Sequence, residues 1–297
     1  MIWLPATLFA GMFQAWRTAV QQRVRADLSL NAAGLVRYLY GLPVGCLMLV
    51  LYLQVRGVSV PALGATYLPY AALGGLAQLL ATNLLLMAFG YRNYVVGTAY
   101  AKTEAVQGAL LAMITLGELL SPVTWAGIAI GVAGVMVISC GGARFKFADI
   151  VQPAALCGLG AGFLFALTSI FVKSSTFAVE THDKVLAALT VLVAVQACQL
   201  LMQGSYVVLR ERQEVRQIFR TWRVSGQVGV LAALGSACWF TGFATAPVAL
   251  VRAVGQVEVI FTLGFGHFYL REPLKRSEIV GLLLVGSGVT VALIGIL

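Results

Sequence analysis

The chain has 297 residues, of which 60% are hydrophobic and 10% charged, with a net charge of +9 and a mean hydropathy of +0.91. A soluble domain carries roughly 25% charged residues, so this composition excludes a water-solvated globule and leaves a membrane protein with little soluble mass. The basic balance does not indicate nucleic acid, because basic loops on one face of a membrane protein follow from the positive-inside rule. Five cysteines scattered through apolar stretches, with no CxxC pair, indicate neither a zinc site nor a disulfide framework.

Apolar runs bounded by charge or turn residues fall at about 3–22, 31–55, 66–90, 93–117, 122–140, 150–172, 185–209, 224–245, 248–270 and 278–297. Most are near the roughly 20 residues that span a bilayer core. They predict an all-α membrane protein of ten transmembrane helices. The first run starts at Ile2 with no basic segment before it and reads as a retained helix. Along it Thr7, Gly11, Gln14, Arg17, Thr18 and Gln21 recur at spacings of three and four, one polar stripe on an apolar cylinder. The second run carries Arg37, the third Gln78 and Thr82, and the fourth Lys102 and Glu104. Tight breaks at 90–93 and 246–247 imply antiparallel neighbours. The sixth run has a weaker stripe of Gly158, Gly162, Ser169 and Lys173, and the seventh offers Gln196, Gln199 and Gln203. The loop 210–223 mixes five arginines with Glu211 and Glu214, and reads as a solvated segment touching anionic head groups. In the ninth run Arg252, Gly255, Gln256 and Val259 share a face, with Glu258 further round. His267 reads as a polar residue near a helix end. Trp3, Tyr67, Tyr70, Trp125 and Trp222 lie near span ends and read as interfacial anchors.

A shift of 154 residues lays the third-to-fifth runs on the eighth-to-tenth. Glu104 then meets Glu258, Glu118 meets Glu272, Gly127 meets Gly281, and Gly134 meets Gly288. Glu104 and Glu118 are the only glutamates in the first 150 residues, and both land on glutamate. A shift of 151 lays Ala10 and Gly11 on Ala161 and Gly162. The chain therefore reads as two five-helix repeats, 1–144 and 145–297. Five is odd, so the second repeat must enter from the opposite side, as in the inverted repeats of many secondary transporters.

The segments GELLSPVTWAGIAIGVAGVMVI (117–138) and REPLKRSEIVGLLLVGSGVTVAL (271–293) each join a Glu-bearing turn and a proline step to a Gly-rich last helix. In this they resemble the EamA-type ten-helix carriers of the drug/metabolite transporter superfamily. The resemblance implies a bacterial inner-membrane carrier with a central cavity between its halves, and last helices that pack on each other inside a monomer, with a dimer seam as the alternative. It implies no particular solute. It also implies both termini inside the cell. The loops give the opposite orientation: those after odd-numbered helices hold thirteen Lys/Arg residues and those after even-numbered helices three, Arg56, Lys173 and Lys184, which places both termini outside. The expectation taken forward is that of the charge count.

Six charged residues sit well inside apolar runs: Arg17, Arg37, Lys102, Glu104, Arg252 and Glu258. Each costs roughly 2.5–3.5 kcal/mol at a helix centre facing lipid, so they must face a bundle interior or a wet cavity. The functional reading is a solute pathway lined by Gln14, Arg17, Arg37, Gln78, Lys102, Glu104, Arg252, Gln256 and Glu258, with the matched glutamates as candidate proton carriers. The structural alternative is that Glu104–Lys102 and Glu258–Arg252 are ion pairs that lock helices together. Residues two apart do not face each other on a helix, so Lys102 and Glu104 need partners on other helices. Four positive against two negative charges favours an anionic or zwitterionic solute, such as an amino acid or organic acid, over a lipophilic cation. Glu118 and Glu272 read as turn or capping residues. No Walker A, HExxH or GxSxG sequence occurs. The expectation is therefore a secondary transporter working by alternating access, not an enzyme, with no cofactor or metal and with proton coupling open. The alternatives are a drug exporter, a channel or a non-transporting scaffold.

Overall fold

The computed structural model describes residues 2–24, 27–90, 100–140, 152–270 and 276–295, and these are almost wholly helical. In chain order the helices are α1 (Trp3–Val24), α2 (Leu30–Leu39), α3 (Gly41–Arg56), α4 (Tyr67–Gly90), α5 (Glu104–Leu116), α6 (Pro122–Cys140) and α7 (Pro153–Phe177). They continue with α8 (Lys184–Arg210), α9 (Arg212–Arg220), α10 (Trp222–Thr245), α11 (Val248–Gly255), α12 (Glu258–Leu270) and α13 (Arg276–Ile294). Two short strands, β1 (Ala62–Leu63) and β2 (Val179–Glu180), pair antiparallel with Ala62 opposite Glu180.

Helix occupies part of each of the ten apolar runs. Among the described residues seven stretches are long and apolar enough to cross a membrane: Leu30–Arg56, Tyr67–Leu85, Pro153–Phe177, Lys184–Arg210, Trp222–Thr245, Val248–Phe265 and Arg276–Ile294. Glu104–Leu116 and Pro122–Ile138 are apolar but shorter, and α1, with its polar stripe, is not among the seven. Large apolar side chains such as Leu201, Leu209 and Leu283 point outward, a surface suited to lipid and not to water.

Proline and glycine punctuate the elements. Pro122 and Pro153 open α6 and α7, at the helix position where a missing N–H costs nothing. Gly57 (φ 62°) and Gly117 (φ 67°) follow α3 and α5 in the left-handed conformation that ends a helix. Pro43 explains why the second run is two helices. Its ring would clash with the carbonyl four residues back, and the chain divides between Leu39 and Gly41, just ahead of it.

The chain forms two compact units, residues 1–76 with 171–245 and residues 77–170 with 246–297, so each draws on both halves of the sequence. In the first, α1 packs along α10, and α2 and α3 pack against α8 and α10. Ala10 and Phe13 of α1 lie in ordinary contact range of Gly235 on α10. A Cβ at Gly229 would collide with Tyr40 at the α2–α3 junction. The three glutamines of α8 are buried here. Gln203 Nε2 donates to Asn31 O at 3.0 Å and Gln199 Nε2 to Gly75 O at 3.2 Å, while Gln196 lies over Gly41 and Gly45. Tyr67 corrects the interfacial reading: it is buried and donates its hydroxyl to Thr190 O at 2.8 Å.

In the second unit α6 and α13 form the most extensive helix pair. Gly127 faces Gly288 and Ala292, and Gly134 faces Gly281 and Val285. Rising numbers on one helix meet falling numbers on the other, so the two run antiparallel, and a Cβ at any of these glycines would strike the partner's backbone. Small residues allow such contact where apolar lipid gives no hydrophobic drive to association. The 154-residue shift carries the Gly127–Gly288 contact onto Gly281–Gly134. The expected packing of the two last helices is thus seen.

Candidate functional site

Two breaks in helix lie at matching positions of the repeat. In the fourth run Tyr100 and Ala101 are helical, Lys102 and Thr103 form a turn, and α5 starts at Glu104. Thr103 N and Thr103 Oγ1 both donate to Tyr100 O, at 3.1 and 2.6 Å. That local bonding competes with the helical pattern. In the ninth run α11 ends at Gly255, Gln256 and Val257 form the turn, and α12 starts at Glu258. Gln256 N donates to Ala253 O and Val257 N to Val254 O, at 3.3 and 3.1 Å. The shift that aligns the glutamates also lays Lys102–Thr103 on Gln256–Val257. Each glutamate occupies the first turn of its half-helix, where the backbone N–H groups and helix dipole favour negative charge.

The charge pairs cross between the two runs. Lys102 Nζ donates to Glu258 Oε2 at 3.2 Å, and Arg252 Nη1 lies 3.3 Å from Glu104 Oε1. The structural alternative in the sequence had paired each glutamate with the cation of its own run, and the structure exchanges those partners. All four groups lie within the second unit, and their charges sum to zero.

The two cations are held differently. Arg252 donates from Nε to Ser169 Oγ at 2.8 Å and from Nη2 to Phe165 O at 2.7 Å, besides its ion pair with Glu104. Lys102 makes one hydrogen bond among the described residues, to Glu258. Its side chain is 20% exposed against 9% for that of Arg252. Helix α7 reaches this cluster closely because it is glycine at the contact. Gly162 sits against Ala101 O, Glu104 N and the Gln107 amide, and Gly108 on α5 faces Ala166 and the stem of Arg252. Gln256 is buried against Gly131 of α6, and its Oε1 has no hydrogen-bond partner among the described residues.

Five of the nine predicted pathway residues, Lys102, Glu104, Arg252, Gln256 and Glu258, therefore lie on the two broken runs. Gln78 lies on α4 in the same unit, half-buried. Gln14, Arg17 and Arg37 belong to the first unit. There Gln14 Oε1 accepts from Trp239 Nε1 at 3.0 Å, Arg17 is half-buried on α1, and Arg37 is buried with its guanidinium 5.4 Å from the Tyr38 ring centre. The role of Ser169 and the Phe165 carbonyl was not foreseen. Ser169 belonged to the weak stripe of the sixth run, and that was the available signal. Glu118 does cap a helix: its Oε2 accepts from Val248 N, the first residue of α11, at 2.7 Å. Glu272 and the side chain of His267 lie outside the described residues.

The first unit carries an open cleft of about 530 Å³ whose walls include Tyr52, Arg56, His182, Asp183 and Lys184. Asp183 caps α8, accepting from Val185 N and Leu186 N at 3.0 and 3.2 Å, and takes a hydrogen bond from Tyr52 Oη at 2.8 Å, with Arg56 at 3.7 Å. Burial pushes its carboxyl up, but the Leu186 N–H, Tyr52, Val185 N–H and Arg56 together outweigh it and hold the group below its ordinary 3.8. Among the described residues no cluster of His, Cys, Asp and Glu is arranged to hold a metal ion.

Residues 152–294 match the EamA-like transporter family. No curated protein matches the chain. Among the similar solved structures is one described only as the crystal structure of a protein. It aligns over 100% of this chain and 98% of its own, with a TM-score of 0.72 at 15% identity, a likeness of fold.

Proposed function

We propose, from the match of residues 152–294 to the EamA-like transporter family, that the chain is a secondary carrier that moves a small polar metabolite, anionic or zwitterionic, across a bacterial inner membrane by alternating access. That match supports a membrane transporter of the drug/metabolite type. The finer reading is ten spans in two oppositely oriented five-helix repeats around a central cavity, acting as a monomer. The observation that carries it is the pair of helix breaks at matching repeat positions, with each half's glutamate satisfied by a cation of the other half. Discontinuous helices at a repeat interface are where such carriers place solute and coupling-ion sites. The antiparallel α6–α13 seam, exchanged onto itself by the repeat shift, supports the inverted arrangement.

The charge cluster fits a gate as well as a binding site. Ionisable groups inside an apolar body face water or one another, and pairs that must separate when water arrives give two states of similar energy. Glu258 and Glu104 are the groups that take up a proton if the cycle is proton-coupled.

Purified protein in proteoliposomes, loaded with unlabelled metabolite and offered the labelled form outside, tests the reading. Saturable counterflow with a polar anion or zwitterion is expected. Flux that does not saturate indicates a channel. Exchange restricted to lipophilic cations indicates a drug exporter. The absence of flux for every solute overturns the carrier assignment.

A further inference from the structure

The arginine-rich segment between α8 and α10 folds as the helix α9, and its charges are sorted by sign. On the inner side Ile218 is buried in a cluster with Val24, Val36 and Val207, and Val215 packs against the same cluster. Both glutamates turn that way. Glu211 accepts from Ser29 Oγ and Asn31 Nδ2, and Glu214 accepts from Ser29 N, so both carboxylates are engaged at the start of α2. Arg212, Arg216 and Arg220 recur at spacings of four and are exposed. At 3.6 residues per turn their stripe lies opposite Ile218. Arg210 and Arg223 flank the helix and are exposed as well. Among the described residues none of these five arginines pairs with a carboxylate. Like charges four residues apart weaken a helix, so the stripe destabilises α9 until an outside anion answers it.

We propose that this anion is the surface of an acidic bilayer leaflet: α9 lies in the head-group layer with Arg212, Arg216 and Arg220 on lipid phosphates. Three observations favour lipid over a soluble acidic partner. Helix α9 leaves directly from Lys184–Arg210 and leads directly into Trp222–Thr245, both long and apolar enough to cross a membrane, so both its ends are held at one bilayer boundary. It has nine residues, a length of about 14 Å, and cannot rise far from that boundary. Phe219 and Trp222 stand exposed among the arginines, and the Arg223 guanidinium lies 5.6 Å from the Trp222 ring centre. Aromatic rings interleaved with cations suit the zone between head groups and acyl chains, whereas a soluble acidic partner would answer the guanidinium groups and leave the rings bare. The inward glutamates fix the rotation of α9 that turns the cationic stripe outward.

The test uses the purified full-length protein in nanodiscs of phosphatidylcholine alone or of phosphatidylcholine mixed with phosphatidylglycerol. Amide hydrogen exchange is followed at 212–220. It is expected to be about tenfold or more slower in the anionic discs. That difference is expected to vanish in about 1 M salt, where the Debye length is about 3 Å, and in the variant Arg212→Gln/Arg216→Gln/Arg220→Gln. Exchange at β1 and β2, beside the opposite end of α8, is expected to be the same in both discs. If the triple variant does not fold, the lipid and salt comparisons on the unaltered protein still decide. Equal exchange at 212–220 in the two discs overturns the proposal, as does a slowing of the same size at β1 and β2. A triple variant that folds and keeps the full lipid effect overturns it too. So does an equal slowing in neutral discs by free glycerol phosphate or by an oligonucleotide, which would assign the stripe to a soluble anion or to an acidic polymer.

Discussion

Lys102 and Arg252 carry the same charge beside matching helix breaks, yet their surroundings assign them different work. Arg252 is held by Ser169 and Phe165 O on one other helical run and by Glu104 on a second. Replacing it with glutamine leaves Glu104 buried without its cation, and the expected cost is about 3–5 kcal/mol, seen as a lower midpoint of thermal unfolding in detergent. The double variant Arg252→Gln with Glu104→Gln should recover much of that loss, because no isolated charge remains. Asp183 gives a prediction with a pH sign. Its carboxyl is held below its ordinary 3.8, so its contribution to stability is present above about pH 4 and is lost as pH falls through the lowered value. Asp183→Asn, which keeps a capping oxygen, should flatten the acid limb of a stability–pH profile, and Asp183→Ala should in addition cost about 1 kcal/mol at neutral pH through the lost cap of α8. At this scale Glu104 and Glu258 were legible in the sequence because glutamate is scarce and both fell on the repeat. Their partners were not legible, since partner choice depends on which runs cross, and that is a property of packing. The same limit applies to Ser169, an ordinary helical serine until a guanidinium reaches it.

Among the elements, the α6–α13 seam was legible because its glycines recur at matched positions in both halves. Gly134→Val and Gly288→Val each force a side chain into a partner backbone, and should lower thermal stability by several kcal/mol, at least the 1–3 typical of overpacking. Gly286→Ala on the same helix meets nothing within 4 Å and should be neutral or slightly stabilising. The helix breaks were less legible. Apolar runs were read through Lys102–Thr103 and Gln256–Val257 because hydropathy reports burial and not continuity of backbone bonding. Pro43 was a plain signal for the α2–α3 junction. Helix α9 was hidden in a loop by its polarity. Its neighbour Glu211 accepts from Ser29 Oγ at 2.5 Å and Asn31 Nδ2 at 2.6 Å, while Glu214 Oε2 takes Ser29 N at 3.0 Å. Glu211→Gln, which weakens that clasp at the start of α2, should speed amide hydrogen exchange across 212–220 and leave exchange in α13 unchanged.

For the whole molecule, the direction in which it faces gives a prediction. On a ten-span count the loop charges predict both termini outside the cytoplasm, and the resemblance to EamA-type carriers predicts both inside. A reporter fused after Leu297 that is active only in the cytoplasm should stay silent on the charge count, and a signal would reverse the orientation. Membrane character was legible from composition alone, because a chain with 10% charged residues cannot cover itself with water-facing groups. The grouping of residues into the two units was not, since each takes one segment from each half of the chain and no local pattern records that interleaving.

The contacts Gly127–Gly288 and Gly134–Gly281 have one more implication. Because the repeat relation trades one for the other, each last helix offers its mate the very surface that its mate offers in return. Two copies of either half, set head to tail, would meet through that same small-residue strip, so the join demands nothing that a single half does not already encode.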